Sequence, residues 1–331
     1  MGGRHRGNGP AVTVTSVVAD VDTGIDDALA LVWLAAEQRA GRIDLHVTTS
    51  AGNTTAALAA RNSREVLRVA GVPDVPVTAG AATPRVLPLT TTPETHGPEG
   101  LGYWRPREEA RSAATPTAAA AVEAWRRAEP SHLLVAGPAT NLAHAIEHAP
   151  EVLAGVQVTL MCGAFTYPGN TTPTAEWNTW VDPHALSYAL SHWPTGTPPP
   201  MICPLNVTER VILTPKRLAT WTADDSELSS LLQDALRFYF EFHESVGVGY
   251  CAQIHDLAAA MVLLDAVPAT CAPATVQVEA ESELLRGTTV ADWVGGGEHS
   301  DPVGPYWGLP ANARVLTELD PEDVLREFSP S

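Results

Sequence analysis

Apolar and polar positions change period repeatedly along this chain, and the changes predict a series of strand-to-helix units. The run Val12-Thr13-Val14-Thr15-Ser16-Val17-Val18 has the composition of a buried strand, and from Asp26 to Ala40 apolar residues recur at helical spacing through Leu29, Val32, Trp33 and Ala36. Leu45 to Thr49 then leads into a helix around Ala56 to Val69, and His132 to Val135 into one beginning near Asn141. A strand at Val156 to Met161 precedes, after a long loop, a helix around Pro183 to Ser191. This alternation predicts an α/β fold, a mostly parallel, Rossmann-like open sheet with helices on both faces. A long helix is expected over about Ser226 to Ser245. Strand-like runs at Ala274 to Val278, Thr288 to Trp293 and Arg314 to Leu319 then predict a small β-rich appendage at the C-terminal end.

Two segments interrupt the alternation: Thr83 to Pro106, rich in Pro and Gly, and Cys162 to Trp177, rich in Gly, Pro, Thr and Asn. Loops of that length inside a compact domain are uncommon unless they cover a site, so both are expected to be active-site walls. No internal repeat or clean linker divides the chain. Residues 1–10 are expected to form a disordered tail and residues 11–331 a single domain.

Composition narrows the function. With 331 residues, 45% of them hydrophobic, the chain can bury a large core. Acidic residues outnumber basic ones 38 to 20, a formal charge of −18 that repels a phosphate backbone and excludes nucleic acid as the expected partner. The four cysteines, Cys162, Cys203, Cys251 and Cys271, have no CxxC spacing, which disfavours a zinc site or a disulfide scaffold and fits a reduced, cytoplasmic enzyme. The start lacks an apolar signal region, and no apolar run is long enough to span a bilayer, so a soluble protein without a membrane partner is expected.

The candidate chemistry begins at Asp20-Val21-Asp22-Thr23-Gly24-Ile25-Asp26-Asp27. Asp20 and Asp22 close the first predicted strand, Gly24 turns the chain, and Asp26 and Asp27 fall in the first turn of the helix, where free N–H groups favour anions. An aspartate at a helix start is an ordinary cap. Four carboxylates crowded together, however, repel one another, and a bound hard cation relieves that repulsion. Two enzyme classes fit at this point. An Asp-x-Asp phosphohydrolase would use Asp20 and Asp22 as nucleophile and acid, but it also needs a cationic side chain and Mg²⁺ at the phosphoryl group. Lys216 is the only lysine, and the downstream Gly-Asp motif of haloacid-dehalogenase-like phosphatases does not occur.

The second class enters through a resemblance. The segment Asp20 to Asp27 is similar to the Asp-x-Asp-Pro-Gly-x-Asp-Asp signature of the inosine-uridine-preferring nucleoside hydrolases, matching every specified position except the proline, where Thr23 stands. The similarity continues in order through Ser50-Ala51-Gly52-Asn53, His96-Gly97-Pro98-Glu99-Gly100-Leu101-Gly102, Gly137-Pro138-Ala139-Thr140-Asn141 and Leu160-Met161-Cys162-Gly163. It runs on through Gly169-Asn170, Ala175-Glu176-Trp177-Asn178, Val181-Asp182-Pro183, His255-Asp256 and Gly287 to Asp292.

The resemblance implies a Ca²⁺-dependent enzyme that releases ribose and free base from ribonucleosides through an oxocarbenium-like transition state. It implies metal ligation by Asp22, Asp27, the carbonyl of Ala136 and Asp256, with Asp22 also the base that activates a metal-bound water. Asp26, Asn53, Asn170, Glu176 and Asn178 would hold the ribose, His255 would protonate the leaving base, and His96, Met161 and Trp177 would line the pocket. Homodimers or homotetramers and a role in purine or pyrimidine salvage are implied in the same way.

Thr23, Cys162 and Leu257 depart from the family pattern. The helix end Phe242-His243-Glu244-Ser245-Val246-Gly247 lacks the Tyr and Arg that several relatives carry near the base, and Trp104 is a further candidate to stack there. A non-catalytic, Ca²⁺-dependent nucleoside- or sugar-binding relative is the alternative from another class.

Overall fold

β1 (Thr15–Val21) is apolar on both faces: Val17, Ala19 and Val21 enter one hydrophobic core and Val18 the opposite one. A strand covered on both sides belongs inside a parallel sheet, and in the computed structural model, which describes residues 14–107, 115–294 and 307–328, β1 has parallel neighbours on each side. The tail expected at residues 1–10 lies outside the described residues.

The other strands are β2 (Ile43–Thr49), β3 (Val77–Ala79), β4 (His132–Val135), β5 (Gln157–Met161), β6 (Met201–Cys203), β7 (Ile212–Leu213), β8 (Ala252–Gln253), β9 (Ala269–Val278), β10 (Thr289–Asp292) and β11 (Ala313–Leu319). Nine of them form one sheet in the order β10-β9-β11-β6-β5-β4-β1-β2-β3, while β7 and β8 pair separately. From β3 to β6 every pairing is parallel, as is β6 with β11. β11 and β9, then β9 and β10, pair antiparallel. The β-rich C-terminal part expected from the sequence therefore extends the main sheet across the β6–β11 junction.

The helices are α1 (Ile25–Arg39), α2 (Ala56–Val69), α3 (Pro93–His96), α4 (Ala118–Ala128), α5 (Thr140–His148), α6 (Trp177–Val181), α7 (Pro183–Ser191), α8 (Leu205–Thr208), α9 (Pro215–Trp221), α10 (Glu227–Ser245), α11 (Asp256–Leu263) and α12 (Pro321–Glu327). Apolar residues of α1, α10, α11 and α12 form the core on one face of the sheet, and those of α4, α5 and α7 the core on the other. Strand order reverses direction between β1 and β4, and the carboxyl edge of an open sheet at such a reversal is where ligands bind.

Candidate active site

The loops leaving β1, β2, β4 and β5 meet at that edge. Asp22 follows β1 and points at the turn after β2, where the Asn53 backbone N–H donates to it at 2.6 Å and the Asn53 amide at 3.0 Å. Only glycine fits before Asn53, because a Cβ on Gly52 would stand 2.0 Å from an Asp22 oxygen. Asp27 turns back over the start of α1 and accepts from the backbone N–H groups of Asp22 at 3.2 Å and Gly24 at 2.8 Å. Asp256 arrives from the opposite side at the start of α11.

Asp26, Asp27 and Asp256 are buried, and each presents an oxygen within 4.8 Å of the others. Burial, followed by repulsion from neighbouring carboxylates, lifts Asp22 and Asp256 well above the ordinary carboxyl range and Asp26 to about 7. Burial also raises Asp27, against the hydrogen bonds it accepts. The donors around Asp22 and Asp27 are amides, not cationic side chains. Buried, crowded carboxylates with an all-oxygen donor set fit a hard divalent cation. The tightest trio contains Asp26 where the resemblance implied Asp22, and the Ala136 carbonyl already accepts from the Asn178 amide at 2.6 Å.

Asp20 plays another part. It accepts from Thr48 at 2.7 Å and Asn141 at 2.9 Å, joining β1 to β2 and α5, and burial pushes its carboxyl up to about 6. Among the described residues no Lys or Arg lines the cavity, and Lys216, the cation the phosphohydrolase alternative needs, lies exposed on α9.

Above the carboxylates opens a cavity of about 500 Å³. Of the residues expected from the sequence, Asp26, Asn53, His96, Ala136, Met161, Asn170, Glu176, Trp177, Asn178, His255 and Asp256 line it, while Asp22 and Asp27 are buried beneath it. The second long loop forms one wall. Glu176 caps α6 by accepting from the backbone of Asn178 at 2.7 Å and Thr179 at 2.9 Å, and it also accepts from Gly163 at 3.1 Å. Its carboxyl is raised all the same, by burial. Asn178 donates to the carbonyls of Ala136 and Met161, bracing β4 against β5, and Asn170 accepts from the Trp177 N–H at 2.9 Å. Cys162 turns into the second core, Leu257 is fully buried in the first, and Trp104 donates to Glu65 at 3.3 Å away from the cavity.

Three histidines approach the cavity. The Nδ1 of His96 accepts from the Ile25 N–H at 3.0 Å, which leaves its Nε2 to carry the proton. His255 shares a 2.9 Å hydrogen bond with Thr208. Burial lowers both rings to about 3. His243 is the third. Sequence reasoning passed over it because the end of α10 was read only for a missing Tyr and Arg; its helical spacing from Tyr239 places both side chains on the inward face. Glu209 and Gln253 also line the cavity, and no motif pointed to them.

A family model described as inosine-uridine preferring nucleoside hydrolase matches residues 17–326. The chain belongs to that family. It is therefore a nucleoside hydrolase, an enzyme of the N-glycosyl hydrolase class. It is 33% identical over 307 residues to the non-specific ribonucleoside hydrolase RihC of Salmonella schwarzengrund, covering 92% of this chain and 93% of the relative. The pyrimidine-specific ribonucleoside hydrolase RihA of Shewanella woodyi is 31% identical, with 92% and 93% covered. Among solved structures, a plant nucleoside hydrolase superposes with a TM-score of 0.84 at 27% identity, over 96% of this chain and 98% of that one. A purine-preferring ribonucleoside hydrolase from Gardnerella vaginalis, at 24% identity and a TM-score of 0.78, shares the fold, with 95% and 96% covered.

Proposed function

We propose that this nucleoside hydrolase cleaves the N-glycosidic bond of ribonucleosides with Ca²⁺ as its resident cation. The observation that carries the reading is the convergence of Asp26, Asp27 and Asp256 within 4.8 Å, at the floor of a cavity walled by the side chains of Asn53, Glu176 and Asn178. Asp22, Asp27, Asp256 and the Ala136 carbonyl would hold the cation, which when bound acidifies water and anchors vicinal hydroxyls.

In this reading Asp22 accepts the proton of the attacking water. Its position is fixed by two hydrogen bonds from Asn53, so little reorganisation accompanies the step. Asp26 accepts from the ribose 2′-hydroxyl. Asn53, Asn170, Glu176 and Asn178 bind the other hydroxyls, and the excess of carboxylate and carbonyl oxygens stabilises positive charge developing on the sugar. His96 offers an N–H to the cavity. His255 protonates the leaving base: with the Thr208 hydroxyl donating to its Nδ1 at 2.9 Å, its Nε2 carries the proton that passes to the base.

The four free cysteines and the absence, among the described residues, of a helix long and apolar enough to cross a membrane support a cytoplasmic location. Assembly as a homodimer or homotetramer and a salvage role are part of the same proposal. The test is release of free ribose from a panel of purine and pyrimidine ribonucleosides, with Ca²⁺ and with chelator. Turnover that chelator abolishes and Ca²⁺ restores is expected; no turnover with any ribonucleoside rejects the reading.

A further inference from the structure

The end of the cavity beyond the carboxylates has a chemistry of its own. Thr208, the last residue of α8, is hydrogen-bonded to His255, and the next residue, Glu209, is half-buried and lines the cavity. Its backbone is tied down by Gln253, whose amide donates to the Glu209 carbonyl at 3.4 Å. Its side chain accepts from the Tyr167 hydroxyl, which reaches over from the second long loop. Among the described residues Glu209 forms no ion pair. A carboxylate has about four acceptor sites, so one tyrosine leaves most of them for another donor. Phe242, Val246 and Val248 supply apolar surface to the same cavity, as a flat heterocycle requires.

We propose that Glu209 is a specificity residue for the nucleobase and that it selects guanosine over inosine. The inference rests on the ribonucleoside hydrolase reading and names the substrate that this site prefers. Guanine presents two adjacent donors, the ring N1–H and the exocyclic amine, which one carboxylate accepts together. Hypoxanthine keeps the N1–H but has no amine, so it loses one of the two hydrogen bonds. Uracil flanks its single N–H with two carbonyls, which face the carboxylate unfavourably. Adenine and cytosine set their amino group beside a ring nitrogen that is itself an acceptor. Guanine is the common base whose donors match.

The experiment compares kcat/KM for guanosine and inosine in the Ca²⁺-loaded wild type and in Glu209→Gln. Wild type should prefer guanosine by about 10- to 100-fold, the worth of one hydrogen bond to a charged group. In Glu209→Gln, which puts an amide where guanine needs an acceptor, that ratio should collapse towards one through a rise in KM for guanosine. A wild type that prefers inosine or treats the two alike overturns the proposal, and so does an equal fall with both nucleosides, which marks a purely structural glutamate. Failure to turn over any ribonucleoside rejects the hydrolase reading instead. Calorimetric binding of guanosine and inosine then still decides the specificity: tenfold or more in favour of guanosine upholds it, and equal affinity overturns it.

Discussion

The hydroxyl of Thr23 meets that of Ser63 at 2.7 Å, and both side chains are fully buried. Ser63 gives its own proton to the Ala59 carbonyl at 2.8 Å, so Thr23 is the donor. The turn between Asp22 and Gly24, where the family signature has proline, is thus anchored to α2 by a side chain instead of by a fixed φ. Thr23→Val removes the donor and should lower the unfolding free energy by about 1–2 kcal/mol. Chemical denaturation of Thr23→Val, Ser63→Ala and the double variant checks the pairing. Singles whose costs add in full, without coupling, would refute it.

Asp22→Asn should fold normally, as judged by circular dichroism, and lose about 10²- to 10⁴-fold in turnover, the usual scale for a removed general base. A variant within tenfold of wild type excludes Asp22 as the base.

Gly52→Ala tests the packing behind Asp22. The added Cβ would stand 2.0 Å from an Asp22 oxygen and 2.7 Å from the ring of Pro138, so the carboxylate or the turn has to move. A loss of turnover of 10-fold or more and a destabilisation of about 1–3 kcal/mol are expected. Unchanged kinetics would mean that Asp22 is not held where it is described.

Cation binding should be linked to pH. Asp26 is raised to about 7, so between the ordinary carboxyl range and pH 7 the native state holds protons that the unfolded chain has released. Its contribution to stability is therefore present at low pH and lost as pH rises through about 7. A cation that needs ionised ligands competes with those protons. The increase in melting temperature on adding Ca²⁺ to chelator-treated protein should grow from pH 5 to pH 8. A shift that is constant or shrinks over that range contradicts the linkage.

The histidines run the other way. His96 and His255 are lowered to about 3, so their contribution is present above the unfolded value near 6.5 and lost as pH falls through the folded one. Histidine NMR titration should show neither ring protonating between pH 5 and pH 8. A titration in that window for either would contradict the buried, neutral state.

How much of this was legible in the sequence depended on contrast. The bounds of α2 and α7 follow from apolar periodicity and coincide with the expected helices, because each has an outer face that is polar. α11 gave no such signal. Its residues Asp256 to Leu263 are all buried, and a helix without a polar face has no visible period. β3 and β6 have three residues each, too short to show alternation. β1 was expected from the run Val12 to Val18 with Asp20 and Asp22 at its close; Val12 and Thr13 lie outside the described residues, and pairing with β2 continues to Val21 opposite Thr49, which carries Asp20 inside the strand.

The site shows the same division. The acidic segment and the sugar-loop motifs were readable because several polar residues stand close together in sequence. Glu209, Gln253 and His243 come singly, from the residue after α8, from β8 and from α10, and the packing of α10 against β8 helps bring them to one cavity.

That the floor is completed from the start of α11 has a bearing on biosynthesis. Asp22, Asp26 and Asp27 leave the ribosome early, and until Asp256 follows they have no fourth carboxylate and no lid of apolar helix above them. A chain cut before α11 therefore lacks both the Asp256 carboxylate and the apolar helix that packs against α1, and the acidic segment by itself does not complete the cluster.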